Sequence, residues 1–172
     1  MPMKVTSLSD ALKNHEGYDY VISITDPKQD LPSFGPHHLH VRFMDTDVVP
    51  EEEYTHMYSA VAQIIRWAKL HHISAEDNVL VHCHAGISRS SAIAWVLKVM
   101  QGEDYHSAFS SLQRARPEIW PNLLVIQMAD RVLNLGGTFS VIAADMDEQI
   151  RDERQAKWET SRVQWKRGEM SL

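Results

Sequence analysis

One thiol stands six residues before an arginine in the run His82-Cys83-His84-Ala85-Gly86-Ile87-Ser88-Arg89-Ser90. That spacing suits holding and attacking a phosphate ester. Such a dianion repels ordinary nucleophiles, so a site must first neutralise its non-bridging oxygens. A strand-to-helix turn does so by aiming successive backbone N–H groups inward, with the helix N-terminus adding its dipole. Gly86 adopts angles other residues resist and lets such a loop close tightly on an anion. Arg89, near the first helical turn, offers a planar guanidinium that grips two phosphate oxygens at once, which lysine does not. The same positive field favours the thiolate of Cys83. Ser90 is placed to donate a hydrogen bond to the sulfur and ease its departure in a second step. Cys83 is the chain's one cysteine, which rules out an intrachain disulfide and any zinc site needing two thiolates.

The surrounding elements have to position this run. Asn78-Val79-Leu80-Val81 is too short and apolar for a helix and reads as the strand that delivers Cys83. From about Ser88 to Met100 the chain is apolar nearly all round, which predicts a central, buried helix. Earlier strands are expected at Asp19–Thr25, ended by Asp26-Pro27, and at His38–Phe43, running into the acidic loop Asp45-Thr46-Asp47. A helix then starts near Pro50, with Glu51, Glu52 and Glu53 complementing its dipole. Two further helices are expected over about Asp104–Ala115 and Asn122–Leu135, the second stopped by Gly136-Gly137. Alternating strands and helices indicate an α/β fold with a mostly parallel twisted sheet flanked by helices.

The 172 residues, 44% hydrophobic and 23% charged, suit one domain with a full core. The expected division is a domain over 1–140 and a charged, helical C-terminal tail over 141–172. That tail carries Trp158 and Trp165, which could dock on the domain or on a partner. A net charge of −6 speaks against a nucleic-acid binder. No run approaches a membrane span and the first residues lack a secretory pattern, so a cytoplasmic location is the default expectation. The oligomeric state stays open.

His82-Cys83-x-Ala85-Gly86-x-Ser88-Arg89-Ser90 resembles the signature of the protein tyrosine phosphatase superfamily, in its dual-specificity-like branch. Arg116-Pro117 followed by Pro121-Asn122 is similar to a second segment of that branch, and the resemblance covers roughly residues 38–135. It implies a phosphate loop between a central strand and a buried helix. Cys83 would be the nucleophile and form a phosphocysteine. Arg89 would bind phosphate, and Ser90 would assist breakdown of the intermediate. His82 would buttress the loop and tune the thiol, while the backbone amides of His84, Ala85, Gly86, Ile87, Ser88 and Arg89 cradle the oxygens. The resemblance also implies a general acid on a loop thirty to forty residues before the cysteine. Asp45 and Asp47 lie 38 and 36 residues upstream; Asp45 is preferred because it comes first after the strand.

The resemblance further implies a phosphorylated protein or peptide as substrate, with phosphotyrosine and also phosphoserine or phosphothreonine as targets, and no cofactor. The alternatives are a catalytically weak phosphoprotein-binding module and a phosphatase of a non-protein phosphomonoester. Residues 84–88 lack the lysines of inositol-lipid phosphatases, which lowers the phosphoinositide case. A metal reading through His82, His84, His37, His38 and His40 is disfavoured because His82 is already explained and no carboxylate stands at a recognisable spacing.

Overall fold

The computed structural model describes residues 3–166, with side chains through residue 160. Four strands form one sheet, β1 (Lys4–Ser7), β2 (Tyr20–Thr25), β3 (His38–Arg42) and β4 (Val79–Cys83), in the order β1-β4-β2-β3. Every pairing is parallel, and β4 lies inside the sheet between β1 and β2. Parallel strands buried on both faces read as continuous apolar runs, and β2 and β4 do so, with all five residues of β4 buried.

Among the described residues six helices accompany the sheet: α1 (Leu8–Asn14), α2 (Glu51–Leu70), α3 (Arg89–Met100), α4 (Tyr105–Ala115), α5 (Leu123–Leu133) and α6 (Thr138–Lys166). The central helix is α3, buried continuously from Arg89 to Lys98. Its Trp95 packs edge-on against Phe139 of α6 with ring centroids 4.9 Å apart, and the indole N–H donates to the Tyr105 carbonyl at 2.8 Å. Pro50 caps α2 rather than occupying its first turn, and Asp104 and Asn122 cap α4 and α5 with their side chains.

Three features depart from the sequence expectations. The first strand and helix, β1 and α1, were not foreseen. Lys4 to Ser7 is too short to show a period, and it becomes a strand because β4 offers it an edge, with Thr6 opposite His82 and Ser7 opposite Cys83. The stop of α5 is Asn134, in the left-handed region at φ 56°, and Gly136-Gly137 instead form the turn into α6.

Third, the C-terminal helix crosses the boundary drawn at residue 140. It begins at Thr138, and Phe139, Ala143, Met146 and Ile150 are all buried in the main core. Those positions share one face of a helix, so the first half of α6 is part of the packed body. Trp158 is 56% exposed, and the Trp165 side chain falls outside the described residues. Among the described residues no helix is long and apolar enough to cross a membrane.

Candidate active site

Cys83 ends β4 and is buried, 1% exposed, at the base of the loop that leads into α3. The Gly86 N–H donates to Sγ at 3.3 Å, and the Ser90 hydroxyl lies 3.2 Å from it. The shape of the loop follows from where its carbonyls go. The His84 carbonyl accepts from the Leu8 N–H at 3.1 Å, and the Ala85 carbonyl accepts from Arg116 Nη2 at 2.9 Å. The Ile87 carbonyl accepts from the Trp120 N–H at 2.9 Å and from the Ser91 hydroxyl, and the Ser88 carbonyl from the Asn122 N–H at 3.3 Å. Four carbonyls are thus tied to the outside by β1–α1 and by the segment before α5. Because a peptide group is planar and trans, each one turns the following N–H the opposite way. The amides of Ala85, Gly86, Ser88 and Arg89 therefore face the interior of the ring, a concave set of donors of the kind that suits an anion.

Gly86 is held at φ 71°, and a Cβ there would lie 2.4 Å from the Thr6 carbonyl carbon. The position therefore demands glycine on two counts, its angle and its contact with β1. Arg116-Pro117 and Pro121-Asn122 acquire a physical role too, since Arg116, Trp120 and Asn122 all brace the outer side of the loop.

Arg89 is buried, with its side chain 3% exposed. Its Nη1 donates to Asp26 Oδ1 at 2.8 Å and to the Phe43 carbonyl at 2.6 Å. Its Nε is buried without a hydrogen-bond partner and stands 3.7 Å from Asp45 Oδ2. Asp45 is held beside the loop by the Ser88 hydroxyl at 2.7 Å and by Asn122 Nδ2 at 3.1 Å. Asp47 is exposed and points toward a neighbouring groove of ≈ 530 Å³, which Ile87, Ser88, Trp120, Leu124 and Arg151 also line. The structure thus gathers Cys83, Arg89, Ser90 and Asp45 into one site and leaves Asp47 at its rim. His84 and Ala85 are exposed at the outer edge of the loop.

His82 is fully buried and lies on the opposite face of β4 from the sulfur, since side chains alternate along a strand. Burial is the main cause that pulls its pKa down to about 4, against the Cys83 backbone, which favours the charged form. A neutral imidazole behind the loop supplies no cation to the thiol, so any influence on Cys83 passes through the backbone. Among the described residues no group of three or more His, Cys, Asp or Glu side chains is placed to hold a metal ion.

Sequence reasoning missed Asp26, Ser23 and His38. Asp26 was read only as the end of a strand, although an acid at the C-terminal edge of a parallel sheet is where ligand-handling residues gather. Ser23 carried no local signal, and His38 stood out only within the disfavoured metal reading.

Fold and loop together define a parallel α/β domain whose β4–α3 loop wraps the buried Cys83. Residues 3–130 match the family described as dual specificity phosphatase, catalytic domain, and the chain belongs to that family. Among solved structures it is similar to the PTP-2 phosphatase of Cydia pomonella, at 22% identity and TM-score 0.54, covering 75% of this chain and 84% of that one. It is similar also to DUSP15, at 22% identity and TM-score 0.53 over 88% of this chain and 92% of that one. A third is Tk-PTP in its active form, at 17% identity and TM-score 0.50 over 76% and 88% of the two chains. At these identities the likeness is one of fold. No curated protein matches the sequence.

Proposed function

We propose that this chain hydrolyses phosphotyrosine, and with it phosphoserine or phosphothreonine, on a protein or peptide, through a phosphocysteine intermediate and without a cofactor. The observation that carries the reading is the buried Nε of Arg89, which has no hydrogen-bond partner and only the more distant Asp45 carboxylate, beside a ring of inward-facing amides. An unpaired buried donor costs about 1–3 kcal/mol unless something takes it up, and a phosphate oxygen would do so.

The Cys83 thiolate attacks phosphorus, the bond to the ester oxygen breaks, and Asp45 gives that oxygen its proton. Water then attacks the phosphocysteine, Asp45 accepts the proton, and the sulfur leaves as a thiolate steadied by the Ser90 hydroxyl. Arg89 and the amides hold the equatorial oxygens throughout. The open groove beside the loop suits a polypeptide continuing past the phosphorylated residue. The acids Asp26, Asp45 and Asp47 at the mouth suit a multiply charged lipid headgroup poorly.

The test is turnover of p-nitrophenyl phosphate with chelator present, followed by one preparation assayed on phosphotyrosine and phosphothreonine peptides and on phosphoinositides. Cys83→Ser should abolish all turnover while phosphate or tungstate still binds. Retained hydrolysis in that variant would sink the mechanism. Preference for a phosphoinositide would replace the substrate class.

A further inference from the structure

Behind the loop runs a chain of hydrogen bonds whose direction is set from its outer end. The Phe34 backbone N–H, which can only donate, reaches His38 Nδ1 at 3.2 Å. A neutral His38 must therefore carry its proton on Nε2, which lies 2.8 Å from Ser23 Oγ. Ser23 Oγ accepts there and has one proton left, which faces His82 Nε2 at 2.6 Å. His82 is thus an acceptor at Nε2 and holds its own proton on Nδ1. The strands make this alignment possible: Ser23 sits opposite His82 across β2 and β4, and His38, opposite Val21, lies two register positions away on the same face of β3.

His82 Nδ1 is buried without a hydrogen-bond partner, and the Cys83 backbone is near enough to the imidazole to favour its charged form. An N–H there can engage only the carbonyl. The Cys83 carbonyl and the His84 N–H belong to one planar peptide, so drawing that carbonyl toward β4 turns the His84 N–H toward the interior of the ring.

We propose that Ser23 and His38 are positioning residues: they hold His82 with its proton on Nδ1, on the side of the Cys83 backbone. Its kinetic consequence rests on the proposed phosphatase function, whereas the tautomer itself does not. The ionisable groups around His38 are His40, stacked at 6.2 Å, His15, which flanks Phe34 on the α1 side, and His82. None of them is a carboxylate, so nothing nearby favours a charged His38. Burial and the other histidines favour the neutral form that the chain requires.

Imidazole 15N spectra of the full chain read both tautomers directly. His82 should show a protonated Nδ1 and His38 a protonated Nε2. Ser23→Ala should mix the His82 tautomers and move the pH midpoint of Cys83 alkylation by iodoacetamide. It should also lower kcat about tenfold with KM unchanged, the scale of one oriented hydrogen bond. His38→Gln, which keeps a donor for Ser23, should stay near the parent, and His38→Leu should follow Ser23→Ala. The His38 pair serves the same test at a half-buried edge position should Ser23→Ala fail to fold. A His82 protonated on Nε2 in the parent chain overturns the proposal, as does a His38→Leu variant with unchanged tautomer and alkylation profile. Absence of turnover on every phosphate ester would remove the proposed function, while the spectra and alkylation still decide this point.

Discussion

Asp26 Oδ1 and Arg89 Nη1 lie 2.8 Å apart, joining the end of β2 to the first residue of α3. Together with the Phe43 carbonyl, this contact occupies one edge of the guanidinium and leaves Nε without a hydrogen-bond partner, 3.7 Å from Asp45 Oδ2. Asp26→Ala should let the guanidinium turn. Because the aspartate is 60% exposed, the cost is moderate, about three- to tenfold in kcat/KM for a small aryl phosphate. Asp26→Asn should recover most of it if orientation rather than charge is what matters. Steady-state kinetics on the two variants decide between them.

Asp45 and Asp47 should separate cleanly on leaving-group dependence. Asp45 sits against Ser88, Asn122 and Arg89, whereas Asp47 faces the adjoining groove. Asp45→Ala should lose roughly 10²-fold in kcat on an alkyl or phenyl phosphate and far less on p-nitrophenyl phosphate. Asp47→Ala should keep its activity on both. Equal, small losses in the two variants would mean that another residue donates the proton.

Gly86→Ala should silence the site without requiring any change to Cys83 or Arg89. The left-handed φ alone costs about 1–3 kcal/mol, and the new methyl would press on the Thr6 carbonyl carbon at 2.4 Å. The loop must then shift away from β1. Tungstate binding, followed by calorimetry, should be lost together with turnover; binding at parental strength would show that the loop tolerates the shift.

Stability should rise with pH through the interval set by His82. Its folded pKa, about 4, lies below the ordinary value of 6.5, so the unfolded chain binds more protons between those values. The contribution is complete above 6.5 and fades as pH falls toward 4, reaching roughly 3 kcal/mol in all. His38 and His40 are shifted the same way and add to the slope. Urea titrations at pH 7.5, 6 and 5 should show this decline, and a His82→Gln variant should show a flatter one.

Phe139 should matter to the fold although it lies beyond the residues 3–130 matched by the family. It is fully buried and packs against both Trp95 and Tyr105. Phe139→Ala should cost about 3–5 kcal/mol in a denaturant titration. A loss under 1 kcal/mol would mean that α6 is an appendage after all.

The loop was readable because its chemistry is local: residues 82–90 are contiguous, and a strand, a glycine turn and a buried helix follow from their own types. Asp45 was readable as one of two candidates, whereas its tie to the loop runs through Ser88 and Asn122, which lie far along the chain. Elements that exist only through partners were hidden. Four residues of β1 have no period of their own, and Asp26, Ser23 and His38 meet their targets across strands. In α6 the apolar positions 139, 143, 146 and 150 have helical spacing, but the dense charges after them suggested a tail from residue 141. Asn134 stopped α5 ahead of the more conspicuous glycine pair because a left-handed residue suffices at that point.

The solitary thiol has a redox consequence. A sulfenic acid formed on Cys83 has no second cysteine in these 172 residues with which to make a disulfide. Its reversible exits are capture by a small thiol, a bridge to another molecule, or ring closure onto a backbone nitrogen of the loop. Any thiol label that enters these 172 residues therefore reports on this one cavity.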